Sequence, residues 1–90
     1  MNILFKPSFV KDFNKLPAKK KEDVRKICTE DFLVAKDLAE FKYADVSSIK
    51  GFKGYYRIRT GDYRIGFKKE GHFIIFMRVR HRKDIYKFFP

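Results

Sequence analysis

Hydrophobic positions along the chain follow two different periods, and the change between them divides the sequence into a helical part and a sheet-forming part. Phe9, Phe13 and Leu16 recur at i, i+4 and i+7, which is the spacing of one helical face. From Tyr55 onwards, apolar and polar residues alternate, which is the period of a half-buried strand. Helical segments followed by a run of strands are typical of an α+β domain.

The N-terminal part predicts one short strand and two helices. Asn2 to Lys6 form the strand, and Ser8 is expected to cap the first helix. Pro17 ends that helix, and a second helix is predicted from about Ala18 to Phe32, so the two would form an antiparallel hairpin. Residues 33–49 show no clean period and are expected to form a short helical turn and a loop.

The C-terminal part predicts a three-stranded antiparallel meander. Its strands are Tyr55–Thr60, Tyr63–Lys69 and Phe73–His81. The intervening Gly61-Asp62 and Glu70-Gly71 are typical of tight turns between such strands.

Length and composition limit the architecture to one compact domain over residues 1–90. The chain has 44% hydrophobic residues, including 11 Phe and 5 Tyr, which is enough for one core and argues against disorder.

Cys28 is the only cysteine and is expected in the core. No intramolecular disulfide can therefore form, which fits a protein of the reducing cytosol. No apolar run is long enough for a bilayer, and no signal peptide is evident, so we expect a cytoplasmic protein without a membrane partner.

Positive charge is concentrated in the C-terminal part. Residues 1–49 hold 10 Lys and Arg against 8 Asp and Glu, a net +2, whereas residues 50–90 hold 12 against 3, a net +9 of the total +11. Six of the seven arginines lie in this second part. This polarity predicts binding of a polyanion, with nucleic acid as the first candidate, and arginine favours planar, bidentate contacts to phosphate.

The Gly61-Asp62 turn fixes a register that places Arg59 opposite Arg64 on one face of the sheet. Like charges at opposed positions repel, and an anion held between them would offset the repulsion. Arg57 extends the same face. The third strand and the residue that follows it are expected to add further cations, Arg78, Arg80 and Arg82. The aromatic rings that can stack on bases at this surface are Tyr55, Tyr86, Phe88 and Phe89.

Such a face can cleave RNA without a metal or another cofactor. The sequence shows no histidine pair, carboxylate pair or metal-binding cluster near it. The ribose 2′-hydroxyl is a built-in nucleophile, so the protein needs to align it with the phosphate and to stabilise the charge that develops.

Four segments together resemble the RelE/ParE toxin superfamily, and the RelE branch is the closest match. They are Lys50-Gly51, Tyr56-Arg57-Ile58-Arg59, Gly61-Asp62-Tyr63-Arg64-Ile65 and Val79-Arg80-His81-Arg82-Lys83-Asp84-Ile85-Tyr86. The resemblance implies a RelE-like fold, in which an N-terminal strand and a two-helix hairpin pack on an antiparallel sheet that ends in a three-stranded meander. It also implies a type II toxin that cuts messenger RNA in the ribosomal A site. A cognate acidic, RelB-like antitoxin would neutralise it in a toxin–antitoxin hetero-oligomer.

The resemblance also implies roles for individual residues. Arg64 would stabilise the transition-state phosphate, Arg82 would serve the leaving group, and Tyr86 would stack on or orient the substrate. Arg59 is a basic residue of the first meander strand where other members often have lysine, and His81 is a candidate acid or base. Because arginine practically cannot lose its proton, a lysine-type general base is not expected at Arg59. The remaining predicted contacts to RNA phosphates are Arg57, Arg78, Arg80, Lys50 and Lys53.

Two alternatives share this fold and charge. One is a ParE-like toxin that inhibits DNA gyrase without cutting RNA, and the other is a non-catalytic RNA-binding module. Arg59, Arg64, Arg82 and Tyr86 occur together in this sequence, which favours the nuclease.

Overall fold

The structure is a computed structural model that describes residues 2–31 and 45–90. Its elements, in chain order, are β1 (Asn2–Phe5), α1 (Pro7–Asn14), α2 (Ala18–Arg25), a π-helical segment (Lys26–Asp31), β2 (Asp45–Ser48), β3 (Tyr55–Thr60), β4 (Tyr63–Glu70), β5 (Phe73–His81) and α3 (Ile85–Phe88). The predicted α+β class is confirmed. None of the helices in these two ranges is long and apolar enough to cross a membrane.

Five strands form one sheet in the order β1-β5-β4-β3-β2. The pairs β2–β3, β3–β4 and β4–β5 are antiparallel, which confirms the predicted meander of β3, β4 and β5. Strand β1 instead pairs in parallel with β5, from Asn2 opposite Phe73 to Phe5 opposite Phe76. Parallel neighbours need a long connection, and the chain between β1 and β5 contains both N-terminal helices and the strands β2, β3 and β4. The sheet is therefore mixed, whereas the sequence predicts antiparallel pairing.

The two turns of the meander differ in how well the sequence predicts them. Gly61-Asp62 joins β3 to β4 as predicted. The second turn is predicted one residue too early, because Glu70 still pairs with Phe73 and Gly71-His72 makes the connection. Gly71 has a φ of +57°, a conformation that glycine adopts without strain.

The prediction for residues 33–49 is wrong near the end of that segment, where the structure has the edge strand β2. Asp45–Ser48 is a strand rather than a loop, and Val46 lies opposite Ile58 and packs against the core. With one apolar residue in four, β2 carries no alternation that sequence reasoning can detect. Residues 32–44, which include the rest of that segment and the predicted end of the second helix, lie outside the described residues.

The helices begin and end differently from the prediction. Pro7 is the first residue of α1, so Ser8 lies inside the helix, and its hydroxyl donates to the Met77 carbonyl at 2.8 Å. The predicted Ser8 cap is therefore wrong, because proline takes the first helical position. The second helix extends as predicted at least to Asp31, but its hydrogen bonding changes to the π type after Arg25.

The core lies between these helices and one side of the sheet, which we call the core face. Phe9 and Leu16 are buried and Phe13 packs against them, which confirms the predicted helical face. Cys28 is also buried, as predicted. The other buried members of the core are Val24, Ile58, Ile65, Phe67, Ile74, Phe76 and Val79.

A β-bulge in β5 determines which side chains reach the opposite side of the sheet, which we call the basic face. Gly66 pairs with Arg78, but the next residue of β4 pairs with Phe76, so Met77 is an extra residue in β5. Because strand side chains alternate between faces, this insertion shifts the alternation by one. Phe76 thus faces the core, while Arg78 and Arg80 belong to the basic face.

Candidate functional site

Arginines of three neighbouring strands meet in one rung of the basic face. Arg59 of β3 lies directly opposite Arg64, as the Gly61-Asp62 turn predicts, and Arg80 of β5 lies opposite Arg64 on its other side. Arg57 lies opposite Gly66 in the next rung. Opposed like charges repel, so this arrangement favours binding of an anion between the guanidinium groups.

The chain after β5 brings Arg82 and Tyr86 to the same place. The Arg82 amide donates to the Asp62 carbonyl at 2.7 Å, which ties the end of β5 to the turn between β3 and β4. The Arg82 side chain is 58% exposed, and its Nε lies 3.9 Å from Asp62 Oδ1. Fully buried Ile85 anchors α3 and leaves Tyr86 58% exposed.

Glycine at position 66 allows the C-terminal segment to lie on the basic face. The Phe89 ring covers Gly66 so closely that a Cβ there would be 2.6 Å from two of its carbon atoms. Phe89 is 2% exposed, and its ring meets the edge of Tyr55 with 5.8 Å between centroids. Phe89 is therefore a fixed support for α3, and it is not available to stack on a base as the sequence predicts.

A cavity of about 420 Å³ lies between the sheet and this segment. Among the described residues, its lining contains five cations, one phenol and no carboxylate. These residues are Arg57, Arg59, Arg64, Arg82, Lys83 and Tyr86. We call it the basic cavity, and its charge and open shape suit a phosphodiester.

Arg64 occupies the electrostatic centre of the basic cavity. Burial and the neighbouring charges of Arg57, Arg59 and Arg82 lower the pKa of its guanidinium, while Tyr86 acts in the opposite direction. Its Nη1 donates to the carbonyls of the preceding turn, Gly61 at 2.8 Å and Tyr63 at 3.0 Å. Its Nε and Nη2 make no hydrogen bond within the described part of the chain, so both can donate to a bound anion.

Two predicted phosphate contacts, Arg78 and Arg80, are instead held by a buried carboxylate. Asp12 of α1, whose side chain is 4% exposed, accepts from Arg78 Nε at 2.7 Å and Nη2 at 3.0 Å. Arg80 Nη1 lies 3.5 Å from the same carboxylate. Both guanidinium groups lie over Phe88, 4.8 and 4.1 Å from its centroid, so this predicted stacking ring already contacts two cations. Arg78 thus forms an internal ion pair with Asp12 and is not an open site for an anion.

The structure places His81 on the core face, away from the basic cavity. His81 pairs with Tyr63 in the ladder, and the two rings meet edge to face at 5.6 Å. Its Nδ1 accepts from the Lys83 amide at 3.2 Å. Because Arg80 and Arg82 flank it in sequence, strand alternation turns His81 to the other side. His81 is therefore not positioned to act as the predicted acid or base in the basic cavity.

Lys50 and Lys53 are exposed in the loop between β2 and β3 and do not line the basic cavity.

Two residues of the site were not predicted from the sequence. Lys83 lines the cavity, and its place in the run of cations after β5 was the available signal. Asp12 lies three residues after Phe9 on the apolar side of α1, and an acidic residue at such a position indicates a buried partner.

Within residues 2–31 and 45–90, no three His, Cys, Asp or Glu side chains come together as a metal site requires.

Comparisons with known proteins match nearly the whole chain. The family model of the ParE toxin of type II toxin-antitoxin systems (parDE) matches residues 3–86. Toxin RelE3 of Methanocaldococcus jannaschii is 43% identical over 90 residues, covering 100% of both chains. The crystal structure of the RelB-RelE antitoxin-toxin complex from Methanococcus jannaschii matches with a TM-score of 0.79 and 41% identity, over 97% of this chain and 99% of that chain.

More distant structures share the fold alone. The toxin-antitoxin complex RelBE2 from Mycobacterium tuberculosis is 21% identical with a TM-score of 0.71, over 90% of this chain and 96% of that chain. The isolated E. coli RelE toxin is 17% identical with a TM-score of 0.68, over 89% and 82%. Family match, full-length relative and fold agree with the motifs around Arg59, Arg64 and Arg82. The chain therefore belongs to the RelE/ParE superfamily of toxins from type II toxin–antitoxin systems, and within it to the RelE branch.

Proposed function

We propose that this toxin is a ribosome-dependent endoribonuclease that cuts messenger RNA in the A site. The observation that carries the proposal is the basic cavity, where five cations and Tyr86 converge and no carboxylate from the described part of the chain lines the wall. A dense array of guanidinium groups suits a phosphodiester, and it suits a transition state with additional negative charge still better.

The reaction proposed is attack of the ribose 2′-oxygen on the adjacent phosphorus. A bond forms between that oxygen and phosphorus, and the bond from phosphorus to the 5′-oxygen breaks, which leaves a 2′,3′-cyclic phosphate and a 5′-hydroxyl. The 2′-hydroxyl loses its proton and the departing oxygen gains one. The protein contributes alignment and charge stabilisation, so this scheme requires no metal or other cofactor.

Individual roles follow from position in the basic cavity. Arg64 is held by the turn carbonyls through Nη1. We propose that its Nε and Nη2 donate to the non-bridging phosphate oxygens. Arg59 and Arg57 add charge from the neighbouring strand. Arg82, whose side chain is 58% exposed, is proposed to stabilise the departing oxygen.

Tyr86 is proposed to orient the substrate by stacking, and it is the candidate for proton transfer. Of the cavity-lining residues in ranges 2–31 and 45–90, it is the one whose side chain is neither a guanidinium nor an ammonium group. The arginines of the cavity practically cannot act as bases.

Toxicity in cells tests the proposed catalytic set. Arg64→Ala, Arg82→Ala and Tyr86→Ala are each expected to relieve growth arrest when the toxin is expressed without antitoxin. Lys19→Ala, which removes one exposed positive charge from α2, is the matched control and should remain toxic. If all three variants fold normally and arrest growth like the parent, the catalytic assignment is wrong.

Mapping of RNA ends on translated messages distinguishes the proposal from its alternatives. Cuts in phase with codons are expected from the parent toxin and not from Arg64→Ala. Intact messages together with trapped gyrase–DNA complexes would instead support a ParE-like inhibitor. RNA binding without cuts or gyrase complexes would support a non-catalytic RNA-binding module.

We further propose that an acidic, RelB-like antitoxin neutralises this toxin by forming a hetero-oligomer. The full-length similarity to a RelE solved in complex with RelB supports this partner, and so does the net charge of +11. Co-expression with the acidic protein of a neighbouring short reading frame should restore growth. Purification of the two proteins apart would contradict the proposal.

A further inference from the structure

The loop between β2 and β3 presents an aromatic side chain to solvent. Phe52 is 50% exposed, although hydrogen bonds fix the backbone around it. Its amide donates to the Ile49 carbonyl at 3.1 Å, and its own carbonyl accepts from the Tyr55 amide at 3.2 Å. Gly51 and Gly54, on either side, both have a φ of +86°, a conformation that glycine adopts without strain. Single exposed phenylalanines are common on protein surfaces, but two further features distinguish this one.

The first feature is continuity with the basic cavity. The Phe52 ring meets the edge of Tyr55 at 6.3 Å, and Tyr55 meets Phe89 at 5.8 Å. Phe89 covers Gly66, which pairs with Arg57 in the cavity wall. Tyr55 and Arg57 share one face of β3 two residues apart, a rise of roughly 7 Å. A row of aromatic rings thus leads from the loop to the cavity along the basic face.

The second feature is the charge of the loop. Residues 49–54 contain Lys50 and Lys53, both exposed, and no acidic residue. Lys68 lies 5.1 Å above the Tyr55 ring, but it pairs with Glu70 at 2.6 Å, so the excess charge comes from the loop lysines. Exposed aromatic rings beside lysines are what proteins use to bind single-stranded nucleic acid, since bases stack on the rings and phosphates contact the cations.

We propose that Phe52, supported by Tyr55 and flanked by Lys50 and Lys53, forms a second RNA subsite that takes a nucleotide next to the cleaved one. Its base stacks on Phe52, and its phosphate lies between the two lysines. This inference rests on the proposed function, because it places the scissile phosphate in the basic cavity. It gives the loop lysines, which lie outside that cavity, a substrate group to bind.

Binding of cleavage-resistant RNA tests the second subsite. The probes carry a 2′-deoxy nucleotide at the scissile position, and they are either trinucleotides or oligomers extended by several nucleotides on the 5′ or the 3′ side. Fluorescence anisotropy at fixed salt should show that one extension strengthens binding to the parent toxin. Phe52→Ala should reduce affinity for that extended RNA about tenfold and leave trinucleotide binding unchanged.

Substitutions at the same position separate stacking from apolar packing. Phe52→Tyr keeps a ring and should bind like the parent, whereas Phe52→Leu keeps apolar area without a ring and should bind like Phe52→Ala. Phe73→Ala is the matched control, because Phe73 is 43% exposed but pairs with Glu70 rather than lying among lysines. Melting temperatures should be unchanged in all four variants, since each side chain is exposed.

Three outcomes would overturn the second subsite: no gain from either extension, equal loss of short and extended RNA in Phe52→Ala, or parental binding by Phe52→Leu. A Phe52→Ala variant that binds RNA normally but loses the antitoxin would assign the loop to a protein partner instead. The proposed function fails separately, if the Arg64→Ala variant cuts translated messages like the parent.

Discussion

Substitution of Gly66 by alanine should displace the C-terminal segment from the sheet. The new Cβ would lie 2.6 Å from two carbon atoms of Phe89, about 1 Å inside ordinary contact distance. The ring has little room to move, because it is 2% exposed and Tyr55 lies against its edge. Relief therefore requires a shift of the backbone that also carries Tyr86, so stability and toxicity should fall together.

The loss in free energy of unfolding that we expect for Gly66→Ala follows from the packing around Phe89. Overfilling a packed site costs about 1–3 kcal/mol, and the upper half of that range applies here because both groups are buried. In a domain of this size, about 2 kcal/mol corresponds to a fall in melting temperature of roughly 8–16 °C. Urea and thermal unfolding followed by circular dichroism measure both quantities.

A second background isolates the contact that is responsible. Phe89→Leu loses stability by itself, but it replaces a rigid ring with a side chain that can adjust. Gly66→Ala should therefore cost at least 1 kcal/mol less in the Phe89→Leu background, which a double-mutant cycle measures as a coupling of about that size. Equal cost in both backgrounds, or no cost in the parent, would refute the idea that Gly66 exists to admit the ring.

Three further predictions concern charge and burial. Asp12→Asn should lower the free energy of unfolding by about 2–3 kcal/mol in urea titrations, because it leaves Arg78 and Arg80 without their carboxylate while both keep some access to water. Burial raises the pKa of the Cys28 thiol, so its contribution to stability is complete below the unfolded value of about 8.5 and is lost as pH rises above it. Unfolding free energies measured between pH 8 and 10 should therefore fall less steeply for Cys28→Ala than for the parent. RNA affinity should fall as salt rises, and Arg64→Ala should reduce the slope of log K against log salt by about 0.7 if one phosphate contact is lost.

Local signals allowed much of the site to be predicted. A two-residue turn fixes the pairing of its flanking strands, so the opposition of Arg59 and Arg64 could be read from Gly61-Asp62 alone. Alternation around that turn also assigned the faces of β3 and β4 correctly. The predicted loop at Asp45–Ser48 was wrong because a mostly polar edge strand shows no period.

Features that depend on distant parts of the chain could not be predicted in the same way. The extra residue Met77 lies in a stretch of β5 that is apolar on both faces, so no polar residue marks the change in alternation. His81 was assigned to the site by resemblance, and only the ladder with Tyr63 places it on the core face. The partner of Arg78 is Asp12, 66 residues earlier, and nothing local to either residue predicts their contact.

The contacts of α1 with β5 also determine where another chain could extend the sheet. Strand β1 covers β5 only as far as Phe76, and the backbone beyond it would be open to pairing with a foreign strand. The Ser8 hydroxyl binds the Met77 carbonyl there, and the Asp12 carboxylate accepts from the Val79 amide at 3.2 Å. The helix thus closes this stretch against strand addition. In the part of the chain that the structure describes, β1 and β2 are the outer strands, so an added strand from a partner would have to join the sheet at one of these two.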